Sequence, residues 1–251
     1  MTQPRTVFSV TGTDRVSFLQ GLITNDVDKA QNGIVYAALL TPQGKFIADF
    51  FVIGRAEELL IDVATSHAAA LSQRLNMYRL RADVQLTETP LVVSTGTTAT
   101  PDGALPDPRH PDLGWRVYSD TDVSDETDWT TLRVENMVPE TGVELLPDSY
   151  ILEAGFERLN GIDFKKGCYV GQEIAARMKH KTELKKGLAR VAIDGSAQPG
   201  DEITSNGKPA GTLHSVAGDT GLAYLRFDRA KGMETKNATL TLLDTAPVSS
   251  A

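Results

Sequence analysis

Residues 159–178 read LNGIDFKKGCYVGQEIAARM, and the interpretation of the whole chain starts from this segment. It contains a lysine- and glycine-rich stretch, the single cysteine of the chain and a run of good helix formers. Residues 172–178 favour a helix, so we expect a helix to begin near Gly171, with Cys168 just outside its amino terminus. A helix amino terminus and neighbouring ammonium groups both stabilise a thiolate over a thiol. The segment therefore predicts an activated thiol at Cys168.

A lone cysteine has other interpretations, and the sequence leaves them open. A single thiol is often a small, buried, apolar side chain. Cysteine–histidine catalysis needs a base within hydrogen-bond reach, and the nearest histidine in the sequence, His180, has no evident orienting acid. One cysteine also excludes an internal disulfide and a self-contained iron–sulfur or multi-thiolate zinc site. We therefore expect neither a hydrolase nor a metal site built from this chain alone.

The composition is that of an ordinary globular protein. Of the 251 residues, 41% are hydrophobic and 23% are charged, and the net charge is −8. No apolar run reaches the roughly 18 residues that cross a bilayer, and the first five residues lack a signal pattern. These features predict a cytoplasmic protein without a membrane partner.

The charge is distributed unevenly along the chain. Residues 165–190 contain eight basic and two acidic residues, which gives this segment a net charge of +6. One interpretation is a solvated basic helix face and loop, and another is a local surface that attracts a compact anion. A protein that binds duplex DNA usually has a broader basic footprint. We therefore expect no DNA partner, whereas contact with tRNA stays open.

The order of the predicted elements indicates an α+β fold with a β-rich end. Strand-like and helical patterns fill residues 1–96, and a proline-rich stretch at 97–114 is typical of a connection. Five short predicted strands follow Gly187 in fewer than 60 residues, which is typical of a small antiparallel barrel. The pattern predicts an N-terminal α+β domain (1–96), a central part with the thiol segment (97–186) and a C-terminal β-barrel (187–251).

Residues 166–173, KGCYVGQE, resemble the K-G-C-Y-x-G-Q-E signature of the YgfZ-type folate-binding proteins, relatives of the glycine cleavage system T-protein, an aminomethyltransferase. Further segments resemble the same family: residues 18–27 (FLQGLITNDV), 40–45 (LTPQGK), 113–116 (LGWR) and 152–155 (LEAG). The resemblance covers essentially the whole chain. It implies three small subdomains in a ring around a central folate pocket, the last an antiparallel β-barrel. It also implies a role in assembly or repair of iron–sulfur cluster enzymes, linked in some members to a tRNA-modifying enzyme.

The resemblance also implies residues for the folate site. Trp129 matches a tryptophan associated with folate binding, and its indole could stack on the pterin. Arg133 matches an arginine near the folate and could pair with a carboxylate. Asn25, in the matching segment of residues 18–27, is a further cofactor-binding candidate. The expected ligand is tetrahydrofolate or a folate derivative.

Two departures from the T-protein pattern bear on catalysis. The aminomethyltransferases carry a G-x-x-I-D-D pattern, whereas residues 44–49 read GKFIAD, with Ala48 at the first acid and only Asp49 retained. A missing carboxylate removes a group expected to assist proton transfer at the folate nitrogen. A pterin-binding glutamate of that branch would fall near Arg116, whose charge is wrong for accepting the N–H donors of the ring. Asp49 stays as a catalytic candidate beside Cys168.

The thiol segment supplies the other candidate residues. Its two lysines would set the charge around Cys168, while Glu173 and Arg177 would orient the following helix. Gly167 and Gly171 would permit backbone conformations that a side chain obstructs. The motif residues are Lys165, Lys166, Gly167, Tyr169, Gly171, Gln172, Glu173 and Arg177.

Three functions are consistent with the sequence. The leading one is a tetrahydrofolate-binding accessory protein for iron–sulfur enzymes, with Cys168 as an activated thiol and with the client enzymes as partners. The second is a folate-dependent aminomethyltransferase or methyltransferase, against which Ala48 stands. The third is an RNA- or protein-interaction module that binds through the basic segment and has no small ligand. The sequence leaves open whether any turnover occurs.

Overall fold

A computed structural model of the chain describes residues 3–181 and 183–247, which form two compact units. The N-terminal unit comprises residues 3–127 and 159–174, and the C-terminal unit comprises the described part of 128–158 and 175–251. The chain thus leaves the N-terminal unit and returns to it for the thiol segment. The three-part division at residues 96 and 186 stays a prediction.

The described residues contain four α-helices, three short 3-10 helices and a set of strands. The α-helices are α1 (Arg15–Gln20), α2 (Thr65–Arg79), α3 (Trp129–Glu135) and α4 (Gln172–Lys181). The 3-10 helices are Val27–Asn32, Pro111–Leu113 and Phe227–Arg229. The strands are β1 (Arg5–Thr11), β2 (Ile34–Leu40), β3 (Phe46–Gly54), β4 (Leu59–Ala64), β5 (Gln85–Glu88), β6 (Val92–Gly96), β7 (Leu105–Pro106), β8 (Trp115–Ser119), β9 (Lys186–Gly195), β10 (Glu202–Ser205), β11 (Lys208–Ala217), β12 (Thr220–Arg226), β13 (Met233–Glu234) and β14 (Ala238–Thr245). None of these helices has the length and apolar character needed to span a bilayer.

A five-stranded antiparallel sheet, in the order β2-β3-β4-β1-β5, forms the centre of the N-terminal unit. Successive side chains of a strand point to opposite faces, and the two faces of this sheet differ in character. One face packs against α1 and α2 through an apolar cluster that includes Leu19 and Leu71. The other carries the cross-strand row Tyr36, Phe51 and Asp62. Both faces are buried, which explains why β2, β3 and β4 are nearly continuous apolar runs.

A buried cluster of charges covers the second face of the sheet. Arg116, from β8 of a three-stranded sheet, places Nη2 2.7 Å from Asp62 Oδ2, and Arg5 places Nε 2.6 Å from Asp62 Oδ1. The Arg116 guanidinium lies 4.0 Å from the centroid of the Phe51 ring. Burial alone would raise the pKa of Asp62, but the two guanidinium groups hold it below its usual value. Asp62 is therefore ionised at neutral pH and ties the two sheets of this unit together.

The C-terminal unit contains a closed antiparallel barrel of six strands, in the order β10-β11-β12-β9-β14-β13. The sequence predicted five of them, because β13 has only two residues and gives no alternating pattern. β13 closes the barrel by pairing with β10 and with β14. The interior is filled by an apolar cluster that includes Leu213, Leu225 and Leu240. The α+β class with an antiparallel barrel at the end of the chain is confirmed.

Replacing Arg116 with alanine is expected to destabilise the N-terminal unit strongly. The fully buried Asp62 carboxylate would keep one cation instead of two, and breaking a buried ion pair costs about 3–5 kcal/mol of the free energy of unfolding. Arg226→Ala is the matched control, because its ion pair with Asp228 is half exposed and such pairs contribute about 0–1 kcal/mol. Urea denaturation measures both variants. Equal losses of the free energy of unfolding in the two variants would contradict the importance of the buried charge cluster.

Candidate functional site

The cysteine lies in a loop of the N-terminal unit. Residues 160–171, here called the thiol loop, precede α4. Cys168 is exposed on this loop, so its interpretation as a small buried apolar side chain is wrong. The only thiol of the chain is therefore accessible to a solute or a partner.

Two glycines let the thiol loop and the start of α4 pack against the turn between β2 and β3. Gly171 has a φ of +86°, and a Cβ there would lie 2.7 Å from the carbonyl oxygen of Thr41. Gly44, in the turn itself, has a φ of +73°, and a Cβ there would lie 2.8 Å from the Cβ of Ile174. Gly167 is not constrained in this way, since a Cβ there would meet no atom within 4 Å. The LTPQGK and KGCYVGQE segments of the family resemblance are thus in direct contact.

The ammonium group of Lys166 is held by three backbone carbonyls, here called the carbonyl cage. Its Nζ lies 2.8 Å from the Gln20 oxygen, 2.6 Å from the Ile23 oxygen and 2.9 Å from the Asn25 oxygen. Lys166 is only 8% exposed, and burial lowers its pKa to about 8. The cage uses all three N–H donors of the ammonium group, so none is left for the thiolate. Of the two lysines expected to set the charge around the thiol, only Lys165 is exposed.

Thr24 fastens the preceding part of the thiol loop. Its hydroxyl donates to the Gly161 carbonyl oxygen at 2.7 Å, and its own carbonyl oxygen accepts from the Asp163 N–H at 3.0 Å. The Asp163 carboxylate in turn accepts from the Lys29 ammonium at 2.6 Å. The loop is therefore joined along its first half to a segment about 140 residues earlier in the chain.

An open groove of about 360 Å³ lies beside this segment in the N-terminal unit. Its lining residues are Asn25, Lys29, Ile34, Val35, Tyr36, Pro108, Asn160 and Ile162. Small-molecule sites have volumes of roughly 300–1,000 Å³ and combine apolar walls with a few polar groups. The groove has the size and the mixed lining of such a site.

Asn25 connects the groove to the thiol loop. Its side-chain amide donates to the carbonyl oxygens of Tyr36 at 2.8 Å and Asn160 at 2.7 Å. Its backbone carbonyl belongs to the cage around Lys166. Asn25 thus lines the groove, but both N–H donors of its amide are used inside the protein, where they fix the groove wall.

Asp49 contacts Tyr36, one of the residues that line the groove. It is buried, and its Oδ2 accepts a hydrogen bond from the Tyr36 hydroxyl at 2.9 Å. Burial and the charge of Asp49 raise the pKa of Tyr36 well above its ordinary value, so the hydroxyl stays protonated. Ala48 belongs to the apolar cluster on the opposite face of β3. An acid at position 48 would face that cluster, so its absence removes nothing from the face that carries Asp49.

Sequence reasoning missed Tyr36, which contacts Asp49, and Arg109, which lies against the Tyr36 ring. Tyr36 lies on β2, and Arg109 places its Cζ 5.5 Å from the Tyr36 ring centroid and 4.9 Å from that of Phe51. The Arg109 guanidinium is also paired with Asp107 at 2.8 Å. Strand alternation could have indicated that Tyr36 shares a face with Asp49. Arg109 lies in the proline-rich connection, which shows no strand or helix pattern.

Trp129 and Arg133 belong to the C-terminal unit. Trp129 is the first residue of α3 and is half-buried. The Arg133 guanidinium lies 3.2 Å from Glu140 and 3.2 Å from Glu144, and it donates to the Ser215 hydroxyl at 3.2 Å. The Arg133 guanidinium is therefore already paired with two carboxylates of the protein, which makes it a poor partner for a folate carboxylate.

The remaining motif residues lie around the start of α4. The Gln172 N–H donates to the Tyr169 carbonyl oxygen at 3.2 Å, and the helix begins there, as the sequence predicts. The buried ring of Tyr169 lies 5.2 Å from Lys166 Nζ, and its hydroxyl has no hydrogen-bond partner among the described residues. Glu173 and Arg177 are exposed on α4.

Folding pairs at least four of the eight basic residues between 165 and 190 with groups of the protein itself. Lys166 lies in the carbonyl cage. The other pairs are Lys179 with Glu157 at 2.7 Å, Lys186 with Glu153 at 3.9 Å and Arg190 with Asp244 at 2.5 Å. The segment is therefore a weaker attractor of anions than its net charge of +6 indicates.

Comparison with protein families places the chain in its fold family. A family model described as the GCVT N-terminal domain matches residues 4–158, more than half of the chain. The chain belongs to this family. A second model, described as the CAF17 C-terminal beta-barrel domain, matches residues 185–251. The fold of this GCVT-family chain is similar to that of glycine cleavage system aminomethyltransferase T from Bartonella henselae, with a TM-score of 0.77, 13% identity, and coverage of 98% of this chain and 84% of that one.

Curated relatives of the GCVT-family chain are named as iron–sulfur cluster assembly factors. The mouse protein, Iron-sulfur cluster assembly factor IBA57, mitochondrial, is 29% identical over 91% of this chain and 77% of its own length. The human protein of the same name is 28% identical over 91% of this chain and 77% of its own length. The Neurospora crassa homolog is 31% identical over 72% of this chain and 50% of its own length. This chain thus spans about half the length of the fungal relative.

These comparisons confirm part of the family resemblance and correct the expected location. The relation to the T-protein is confirmed at the level of the family, whereas the narrower YgfZ-type assignment stays a prediction. The expected cytoplasmic location is contradicted, because these relatives are named as mitochondrial proteins.

The native GCVT-family chain is expected to show one reactive thiol without denaturant, because Cys168 is exposed and is the only cysteine. Titration with dithiobis(nitrobenzoate) should release one equivalent of coloured product from the native protein and none from Cys168→Ser. A reaction that occurs only after addition of urea would contradict the exposed position of the thiol.

Proposed function

We propose that this chain is a tetrahydrofolate-binding factor for the assembly or repair of iron–sulfur cluster enzymes, acting through the thiol of Cys168. The observation that carries the proposal is the connection, within one unit, between a groove of small-molecule size and a loop that presents the only thiol. The names of the mouse, human and fungal relatives support the iron–sulfur part. The resemblance to the YgfZ-type folate-binding proteins supports the folate part.

The lining of the groove fits the chemistry of a reduced folate. Val35 and Ile162 offer apolar surface to a flat pterin, and the polar wall is built by Asn25 and Asn160. The anionic glutamate tail would lie near Lys29, whose side chain is 55% exposed although its ammonium group pairs with Asp163 at 2.6 Å. A reduced folate held there would supply one-carbon or reducing chemistry, as bound group carriers do.

The cysteine count limits what Cys168 does with a cluster. Iron–sulfur clusters are held by several thiolates, usually four, and this chain has one cysteine. Cys168 can therefore supply at most one thiolate ligand, and a partner protein or small thiols would supply the others. An exposed thiol suits such a shared and transient contact.

Filling the groove is expected to weaken folate binding. Ile34 is half-buried in the groove lining, and Ile34→Trp should weaken the binding of 5-formyltetrahydrofolate at least about tenfold, a loss of roughly 1.4 kcal/mol of binding free energy. Leu243→Trp, at an exposed position of the barrel, is the matched control and should bind like wild type. Isothermal titration calorimetry measures the dissociation constants. No binding by the wild-type protein, or equal binding by both variants, would sink the assignment of the groove.

The thiol is expected to be needed in cells. In a strain lacking the native gene, Cys168→Ala should fail to restore the activity of iron–sulfur enzymes, although the protein accumulates to the wild-type level. Cys168 is exposed, so its replacement should cost little stability. Full restoration by Cys168→Ala would remove the thiol from the proposal.

A second candidate function, folate-dependent aminomethyl transfer, is favoured by the pairing of Asp49 with Tyr36. The apolar surroundings of Ala48 also weaken the sequence argument against it. One-carbon transfer from a methylamine donor to tetrahydrofolate, abolished by Asp49→Asn, would rank this function first.

The third candidate, an RNA-binding module, is weakened by the internal pairing of the basic segment. tRNA binding that falls steeply with salt, in a protein that binds no folate, would restore it.

A further inference from the structure

We infer that Lys166 is a positioning residue that couples the ligand groove to the Cys168 thiol, so that a folate in the groove changes the accessibility of the thiol. The inference rests on the proposed function, because it takes the groove and the thiol as parts of one site. It assigns to Lys166 a role in regulating that site rather than in activating the sulfur directly.

Asn25 holds the thiol loop at two points. Its side-chain amide binds the carbonyl oxygen of Asn160, the first residue of the loop, which also lines the groove. Its own carbonyl oxygen binds the Lys166 ammonium six residues further along the loop. A ligand that presses on Asn25 or Asn160 therefore acts on both attachments.

Among the residues that fasten the thiol loop before Cys168, Lys166 is the nearest to the thiol in sequence. Only Gly167 separates it from Cys168, and both of these residues are exposed. On the other side of Cys168, Tyr169 is buried and Gly171 is packed against the β2–β3 turn. The thiol is thus carried by a short exposed span between two fixed points, one of which is the ammonium group in the carbonyl cage.

The geometry of the carbonyl cage makes the position of the Lys166 ammonium group sensitive to a ligand in the groove. The three carbonyls come from Gln20, at the end of α1, and from Ile23 and Asn25 in the turn that follows. A displacement of Asn25 changes one side of the cage while α1 keeps the other. The ammonium group then has to move, and the span that carries Cys168 moves with it.

The test compares the rate at which iodoacetamide alkylates Cys168 with and without saturating 5-formyltetrahydrofolate. Wild type, Lys166→Met and Lys165→Met are measured, and for each protein the rate with ligand is compared with its own rate without ligand. Lys165→Met is the matched control, because it removes the neighbouring exposed ammonium group and leaves the cage intact. The ligand should change the rate at least about fivefold in wild type and in Lys165→Met, and less than about twofold in Lys166→Met.

A second measurement needs no variant. Coupling between two equilibria is reciprocal, so formation of a mixed disulfide between Cys168 and a reversible disulfide reagent should change the dissociation constant for 5-formyltetrahydrofolate. The factor should equal the one by which saturating 5-formyltetrahydrofolate changes the equilibrium constant for formation of that same mixed disulfide. A dissociation constant that the mixed disulfide leaves unchanged would overturn the coupling.

The outcomes separate the inference from the proposed function. Binding of 5-formyltetrahydrofolate without any change in alkylation rate overturns the inference and leaves the folate groove standing. Absence of binding overturns both. If Lys166→Met does not fold, Lys166→Gln replaces it, since its amide keeps two donors without the charge. Undiminished coupling in either Lys166 variant overturns the role of this residue.

Discussion

The binding of the Lys166 ammonium group by three backbone carbonyls is the contact on which the arrangement of the candidate site depends. Carbonyl oxygens at the end of a helix lack partners within the helix, and a buried ammonium group without hydrogen bonds is costly. The carbonyl oxygens and the ammonium group therefore supply each other with hydrogen-bond partners. Because the partners are more than 140 residues apart, this contact fastens the thiol loop to a segment that contains the groove-lining residue Asn25.

The central sheet separates structural from chemical roles by its two faces. Leucines and other apolar side chains fill one face and hold the helices. The opposite face concentrates charged and aromatic groups, among them Asp49, Tyr36 and Asp62. Buried charges of this kind are stable only when paired, and the pairs with Arg5 and Arg116 meet that condition. Asp49 accepts a hydrogen bond from the protonated hydroxyl of Tyr36, a groove-lining residue, so this carboxylate also has a partner inside the protein.

Local patterns predicted what depends on neighbours in sequence, and they missed what depends on distant contacts. The start of α4 after Gly171 and the long strands of both units follow from helix formers, glycine and alternation. The direction of the Lys166 ammonium could not be predicted, because its partners belong to a different segment. The same holds for Arg133, whose carboxylate partners come from the loop after α3. A family resemblance identifies the position of such a residue but not the group that satisfies it.

The closure of the C-terminal barrel has a consequence for recognition. Because β13 pairs on both sides, the described strands close into a ring without an open edge to which another protein could add a strand. Association through the barrel is therefore expected to use side chains and connecting loops. Those parts can diverge while the barrel is retained, so relatives with the same architecture are free to acquire different binding preferences there.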